Sequence, residues 1–223
     1  KGETYQEKGY LTNIITDKAI DWLENKRDKN KPFLLLIHHK ACHRNWLPEL
    51  KYLHEYEDQT FPLPSTFYDN YEGRVAAGMQ EMEIGKHMDI IYDTKMYRPG
   101  LNTPLTENYL NMVGRMDSKE RAEYDHFYDS ISTDFWQRHL EGKQLAEFKY
   151  QRDYAKVVKT LDDNVGRTLD YLRDAGLMDS TLVVYTSDQG FYMGEHGWFD
   201  KRFMYEESYS TPLVMHLPKG FNA

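Results

Sequence analysis

Two short segments of this chain concentrate the side chains that do chemistry on charged groups. The first, Thr186 to Leu213, reads TSDQGFYMGEHGWFDKRFMYEESYSTPL and follows an apolar run. Asp188 and Gln189 open it with a carboxylate and an amide oxygen, hard donors of the kind that hold Ca²⁺ or Mg²⁺. Gln189 also argues against a two-zinc site, where imidazole would be the better ligand. Lys201 follows after a stretch carrying Gly194 and Gly197, which let the chain fold back so that its ammonium can neutralise an oxyanion. His196, between those glycines, either hydrogen-bonds a substrate or holds the turn. The second segment is HHKACHRNW, at the end of the apolar run FLLLIH. Here His43 could protonate a departing alkoxide or bind an anion. Arg44 offers a two-pronged grip on a sulfate or carboxylate, or a salt bridge at the rim.

Each feature has a plainer reading. Asp followed closely by Gly is a common turn, and an isolated Lys is ordinarily solvated. His38 and His39 alternate along the run and so point to opposite faces, which makes at least one of them structural. Cys42 beside His43 does not make a cysteine hydrolase, because adjacent side chains rarely face each other; a small buried thiol is the better reading.

The elements that must position these residues can be read from periodicity. Residues Asn13 to Lys29 form an amphipathic pattern with Ile15, Ala19, Trp22 and Leu23 on one face. Thr12 or Thr16 would cap it. FLLLIH, TLVVYTSD and PLVMHLP read as strands buried on both faces of a parallel sheet. Arg152 to Ala175 carries a stripe of Tyr154, Val157, Leu161, Val165, Leu169 and Leu172, ended by Gly176. Helices alternating with apolar strands indicate an α/β fold with a largely parallel sheet, whose ligands sit beyond the strands' carboxyl ends. From about 60 to 150 the pattern weakens into an irregular insertion expected to hold two or three short helices.

Composition narrows the function. The chain has 223 residues, enough for one sizeable core. Its 36 acidic residues outnumber 28 basic ones, and no Lys/Arg block forms a phosphate-tracking stripe, so nucleic acid is excluded as the expected partner. The 18 Tyr, 10 Phe and 4 Trp suit a core and would equally suit the apolar faces of sugars. A single Cys forbids an internal disulfide and leaves the compartment open. No run is long enough for a membrane span. The opening KGETYQEKGY reads like the interior of a protein, and the chain is expected to be a fragment.

Taken in order, GYLTNIITDKAIDWL, KPFLLLIHHKACHRNW, LPSTFYDNYEGR, YAKVVKTLDDNVGRTLDYLRDAGLMDSTLVVYTSDQGFYMGEHGWFDKRFMYEES and TPLVMHLP resemble the type I sulfatases of the alkaline phosphatase superfamily. The likeness is greatest to bacterial sulfatases acting on sulfated glycans. The resemblance implies an alkaline phosphatase-like α/β/α sandwich with a largely parallel central sheet, only part of it in this chain. Residues 1–223 would be the central part of the catalytic domain. It makes Asp188 and Gln189 metal ligands, for Ca²⁺ with Mg²⁺ as second candidate. Lys201 becomes a sulfate contact, and His43 the histidine near the scissile ester oxygen. Arg44 and His196 remain candidates for substrate binding. The implied nucleophile is a formylglycine in an amino-terminal part that these residues lack, so the fragment alone is expected to be inactive. The implied partners are a sulfated carbohydrate and the remainder of the catalytic domain, and the implied location is periplasmic or extracellular. The chain departs from the family at Cys42, where Pro is usual, and at Ser210, where a basic residue often precedes Thr-Pro-Leu. Two other functions compete: a phosphodiesterase or phosphoryl transferase of the same superfamily, and a non-catalytic glycan-binding module.

Overall fold

The computed structural model of the chain describes residues 2, 4, 6–140 and 149–221. Helix α1 spans Leu11–Asp21 and runs on as a single π turn, Trp22–Lys26. It starts earlier than the hydrophobic pattern indicates, at Tyr10, without a side-chain cap. Neither Thr12 nor Thr16 caps it; both are buried within it, and the Thr16 hydroxyl donates to the Thr12 carbonyl at 3.2 Å. A threonine that satisfies its hydroxyl on the preceding turn can be buried inside a helix, which removes the need to end there. The chain leaves the helix at Arg27, where the backbone becomes extended, short of the expected Lys29.

The segment from 60 to 140 holds more order than its polar composition implies. Short helices α2 (Val75–Met79) and α3 (Thr106–Val113) precede α4 (Ser118–Gln137), which is 20 residues long and so exceeds the short helices expected. A reciprocal capping box starts α4. Asp117 accepts from the Lys119 and Glu120 amides at 2.9 and 3.0 Å, and Glu120 accepts from the Asp117 amide at 2.9 Å. The helix then buries Tyr124, Phe127 and Tyr128 against Leu53, Ile91, Tyr109 and Val113. Residues 141–148 of the expected insertion lie outside the described residues.

Helix α5 (Gln151–Asp174) ends as its sequence indicates. Gly176 takes φ 67°, its amide donates to Arg173 at 3.0 Å, and the Leu177 amide reaches back to Leu172 at 2.8 Å. These are the two bonds of a Schellman motif, which glycine permits because it lacks Cβ. The inward face of α5 is not only apolar. Asp153, Lys156, Thr160 and Asn164 are buried beside Val157, Leu161 and Leu172, whereas Val165 and Leu169 are only half-buried.

Asp153 is the hub of that polar stripe. Lys95, Lys149 and Lys156 approach its carboxylate at 3.3, 3.1 and 3.8 Å, and the Tyr128 hydroxyl donates to it at 3.1 Å. Burial alone would raise the Asp153 pKa, but the lysines outweigh it and hold the carboxyl below its ordinary value. Glu57 supplies a second carboxylate, to Lys149 at 2.7 Å and to Lys156.

Strand β1 (Val183–Thr186) pairs with β4 (Leu213–His216), and β2 (Tyr192–Met193) pairs with β3 (Phe199–Asp200) in a tight hairpin. Both ladders are antiparallel, with Val183 opposite His216 in the first, so neither described pairing is the parallel one expected. FLLLIH is extended but joins no ladder among the described residues. The three runs are also not buried on both faces, since Leu34 is 82% and Val214 63% exposed. Their apolar character marks a surface suited to burial, and in the described residues no layer covers it.

Asp153→Asn would leave the surrounding ammonium groups short of a buried counter-charge, and we expect it to cost about 3–5 kcal/mol. Lys156→Met removes one cation while Lys95 and Lys149 still face Asp153, but it leaves the Leu53 carbonyl without its donor, and should cost about 1–3 kcal/mol. Denaturant unfolding of both variants checks this, and equal losses would show that the cluster is not governed by charge balance.

Candidate active site

Trp46 anchors the first functional loop. It is fully buried, its indole N–H donates to the Cys42 carbonyl at 3.1 Å, and its ring meets Tyr150 at 4.8 Å and Phe191 at 5.8 Å. Cys42 is half-buried beside Tyr154, and burial pushes its thiol up to about 11. A thiol held neutral is no nucleophile, which agrees with the inert role expected of it. His43 is exposed, with Nδ1 2.7 Å from the Arg44 carbonyl oxygen.

Arg44 turns inward. Its Nε and one terminal nitrogen donate to the two carboxylate oxygens of buried Asp93, each at 2.6 Å. The guanidinium also lies 5.1 Å from the Phe199 ring and 5.7 Å from the Tyr92 ring. The two-pronged face expected to grip an anion is therefore occupied by Asp93. Burial pushes the Asp93 carboxyl above its ordinary value, and Arg44 offsets this only in part.

The second loop leaves β1 at the sheet edge. Asp188 and Gln189 are exposed, and nothing among the described residues pairs with the Asp188 carboxylate. The Ser187 hydroxyl donates to the Gln189 backbone carbonyl at 2.9 Å, and the Gly190 amide donates to Ser208 at 3.0 Å. Gly190 is required by close approach, because a Cβ there would lie 2.0 Å from the Glu207 carbonyl oxygen and 2.7 Å from that of Ser210. Short helix α6 (Glu206–Tyr209) is thus pressed against the acid–amide pair. Phe191 then inserts beside Trp46 and Tyr154, at 5.8 and 5.7 Å.

The hairpin closes through left-handed residues, Gly194 (φ 118°), His196 (φ 55°) and Gly197 (φ 72°), so the two glycines do turn the chain back. Phe199 packs into the cluster holding Trp46, with Phe191 against its edge, while neighbouring Trp198 packs on the other side with Tyr192 and Met82. Lys201 follows β3, half-buried and without an ion pair among the described residues. The adjacent charges are spent on each other, Arg202 donating to buried Asp200 at 2.8 Å.

The stems of the His43 loop, the Asp188–Gln189 turn and the Lys201 strand thus meet on one aromatic cluster of Trp46, Phe191 and Phe199. His196 joins the second cluster. Its Nδ1 lies 2.6 Å from Asp69, its ring packs on Trp198 at 5.2 Å and Tyr205 at 4.9 Å, and its Nε2 is 4.0 Å from Glu207. Arg74, whose hydrogen bond is the largest cause, holds the Asp69 carboxyl well below the usual carboxylate range, aided by the Tyr71 amide and His196. Asp69, Arg74 and Asp93 are residues that sequence reasoning did not single out. Asp69 and Arg74 sit in the quoted LPSTFYDNYEGR, but their ties to His196 and Tyr205 exist only in the folded chain.

A Sulfatase family model matches residues 1–223. The chain is 45% identical over 227 residues to N-acetylglucosamine-6-O-sulfatase of Bacteroides thetaiotaomicron, covering all of this chain and 40% of that protein. It is 26% identical to human iduronate 2-sulfatase, covering 91% of this chain and 30% of that one. A solved structure, described as in complex with its substrate D-glucosamine-2-N,6-O-disulfate, superposes with a TM-score of 0.87 at 44% identity. That match covers 95% of this chain and 44% of the other, so the chain spans less than half the length of these relatives.

Two outcomes test this geometry. Gly190→Ala should displace the Asp188–Gln189 turn, because backbone carbonyls cannot yield as a side chain would; we expect a loss of about 1–3 kcal/mol and faster proteolysis at this turn. Asp69, with its depressed pKa, adds stability that is present above the ordinary carboxylate value of 3.8 and lost as pH falls below it. The gap in unfolding midpoint between the native protein and Asp69→Asn should therefore stay constant from neutrality to about pH 5 and shrink below about pH 4.

Proposed function

The chain belongs to the sulfatase family, with its alkaline phosphatase-like α/β fold, and from that premise we propose that it is part of a sulfuric ester hydrolase that removes the 6-O-sulfate from a glucosamine-type sugar in a glycan. The observation that carries this reading is the meeting of the His43, Asp188 and Lys201 stems on the Trp46–Phe191–Phe199 cluster. Similarity along the whole of this chain to an N-acetylglucosamine-6-O-sulfatase, 40% of which it covers, supports the substrate class.

Asp188 and Gln189 fit a hard divalent cation: their oxygens are exposed, and the carboxylate is free among the described residues. Among the described residues no group of three or more His, Cys, Asp or Glu gathers there. Two donors would fill only part of the six to eight positions around Ca²⁺, the others coming from the rest of the catalytic domain and the sulfate. The cation, when bound, supplies positive charge at the sulfate oxygens, and a formylglycine hydrate outside these 223 residues supplies the nucleophile.

The residues of this chain divide the remaining work. The Lys201 ammonium, free of a carboxylate partner among the described residues, sits against a sulfate oxygen and neutralises charge there. As the sulfur–oxygen bond breaks, its electron pair passes to the sugar oxygen, which takes the Nε2 proton of a doubly protonated His43 and leaves the ring neutral with its hydrogen on Nδ1. His196 contacts the sugar through the Asp69-supported ring, a substrate role kept distinct from the sulfate-handling groups. Arg44 shapes the loop. The remainder of the domain would also cover the apolar residues of β1, β4 and FLLLIH.

The test is hydrolysis of 6-O-sulfated N-acetylglucosamine by the full-length protein carrying this chain. We expect His43→Ala to lower kcat by about 10²–10⁴-fold and Lys201→Ala by about 10²–10³-fold. Chelation should abolish turnover, and added Ca²⁺ should restore it. Hydrolysis of an aryl phosphate in preference to any sulfate ester would overturn the sulfatase reading, and sugar binding without turnover would make the protein a glycan-binding module.

A further inference from the structure

Three consecutive residues after His43 are each held from a single turn, Tyr92–Lys95. Arg44 is gripped by the Asp93 carboxylate at 2.6 Å on both prongs. The Asn45 side-chain amide donates to the Tyr92 carbonyl. The Lys95 ammonium donates to the Trp46 carbonyl, and also to the Asp93 carbonyl at 2.9 Å. We propose that this turn is a positioning clamp, with Asp93 at its centre, that aims the imidazole of His43 at the leaving oxygen. The inference rests on the role given to His43 above.

The reason lies in how little else holds that ring. His43 is exposed, and among the described residues its side chain hydrogen-bonds only to the Arg44 carbonyl, at 2.7 Å. A carbonyl only accepts, so Nδ1 carries the hydrogen and Nε2 is left as the nitrogen that exchanges a proton with the ester oxygen. Ring direction is therefore inherited from the backbone of Arg44. That backbone is fixed at its side chain by Asp93 and one residue further on by Asn45.

Asp93 is held ready for this role. Its side chain is fully buried. Besides the two guanidinium N–H groups, its Oδ2 accepts the Asp89 amide at 2.8 Å, so its lone pairs are engaged within the protein. The ion pair is further held because the Arg44 guanidinium also lies against the Tyr92 and Phe199 rings. Lys95 extends the hold to Asp153 of α5 at 3.3 Å, which ties the loop to the most buried charge cluster. Displacement of a catalytic group by about 1 Å can cost about 10²-fold in rate, so a strut of this kind has a measurable consequence.

Asp93→Asn keeps the shape but cannot accept both guanidinium donors. In the full-length enzyme, with 6-O-sulfated N-acetylglucosamine, we expect kcat to fall about 10²-fold with KM within about threefold. The decisive readout is the ¹⁸O isotope effect at the bridging oxygen on kcat/KM. It rises when the sugar oxygen leaves without its proton, and a smaller fraction of folded enzyme cannot change it. We expect the effect in Asp93→Asn to move toward the raised value of His43→Ala, and Asn45→Ala, which leaves the ion pair intact, to move it partway. Should Asp93→Asn not fold, Asn45→Ala alone decides. A raised effect in His43→Ala with a native effect in the clamp variants would overturn the clamp and leave the proton-donor role standing. A native effect in His43→Ala would overturn that role, and the clamp with it.

Discussion

The position of the functional loops depends on the neutralisation of buried ammonium groups by one carboxylate. Asp153, on α5, faces Lys95, Lys149 and Lys156 in a space that water does not reach. Burying charge is costly, and the geometry offsets that cost by giving each ammonium a carbonyl or second carboxylate as well. Lys156 takes the Leu53 carbonyl and Glu57, and Lys95 takes the carbonyls of Trp46 and Asp93. Each of those carbonyls belongs to a segment with little regular structure. The charge cluster therefore does for these turns what a ladder does for a strand: it specifies where an irregular backbone must lie. Burial lowers the Lys156 pKa to about 8, a desolvation that the attraction of Asp153 and Glu57 offsets only in part and that the neighbouring Lys149 ammonium reinforces.

From this hub the order passes outward. Lys95 fixes Trp46, and Trp46 with Tyr154 forms the socket for Phe191. Phe191 is next to Gly190, whose missing side chain lets α6 approach, and Asp188 and Gln189 ride on that turn. The groups read as catalytic are exposed or half-buried, while the residues that fix them are buried. Such an arrangement keeps the reactive side chains wet until substrate arrives, with their backbones already held.

How much of this could be read from the sequence follows from which interactions are local. The α5 stripe and its Gly176 stop were legible because helix periodicity and the left-handed cap need only neighbours in the chain. The runs VVYT and LVMH were legible as strands for the same reason, but their antiparallel pairing was not, since apolar runs do not encode partner or direction. The capping box Asp117–Glu120 was present as a signal for α4, yet the polar face of that helix masked it. Thr12 and Thr16 misled, because a hydroxyl reads as a cap unless its partner one turn back is known. The buried polar stripe of α5 was invisible for the same reason: Asp153 and Lys156 look solvated until Lys95 and Glu57, distant in sequence, are placed beside them.

The candidate site divides along the same line. Asp188, Gln189 and Lys201 stood out because their chemistry is in their side chains and their spacing, with glycines between, is local. Arg44 shows the opposite case. Its guanidinium suits an anion, and an anion is what it binds, but that anion is Asp93, 49 residues away. A sequence pattern identifies the charge that a side chain seeks and leaves open whether a ligand or the protein supplies it. The distinction rests on what stands opposite each cation, since both are half-buried. Arg44 faces a buried carboxylate that only a cation can balance, whereas Lys201 has no ion pair among the described residues and can await a transient anion.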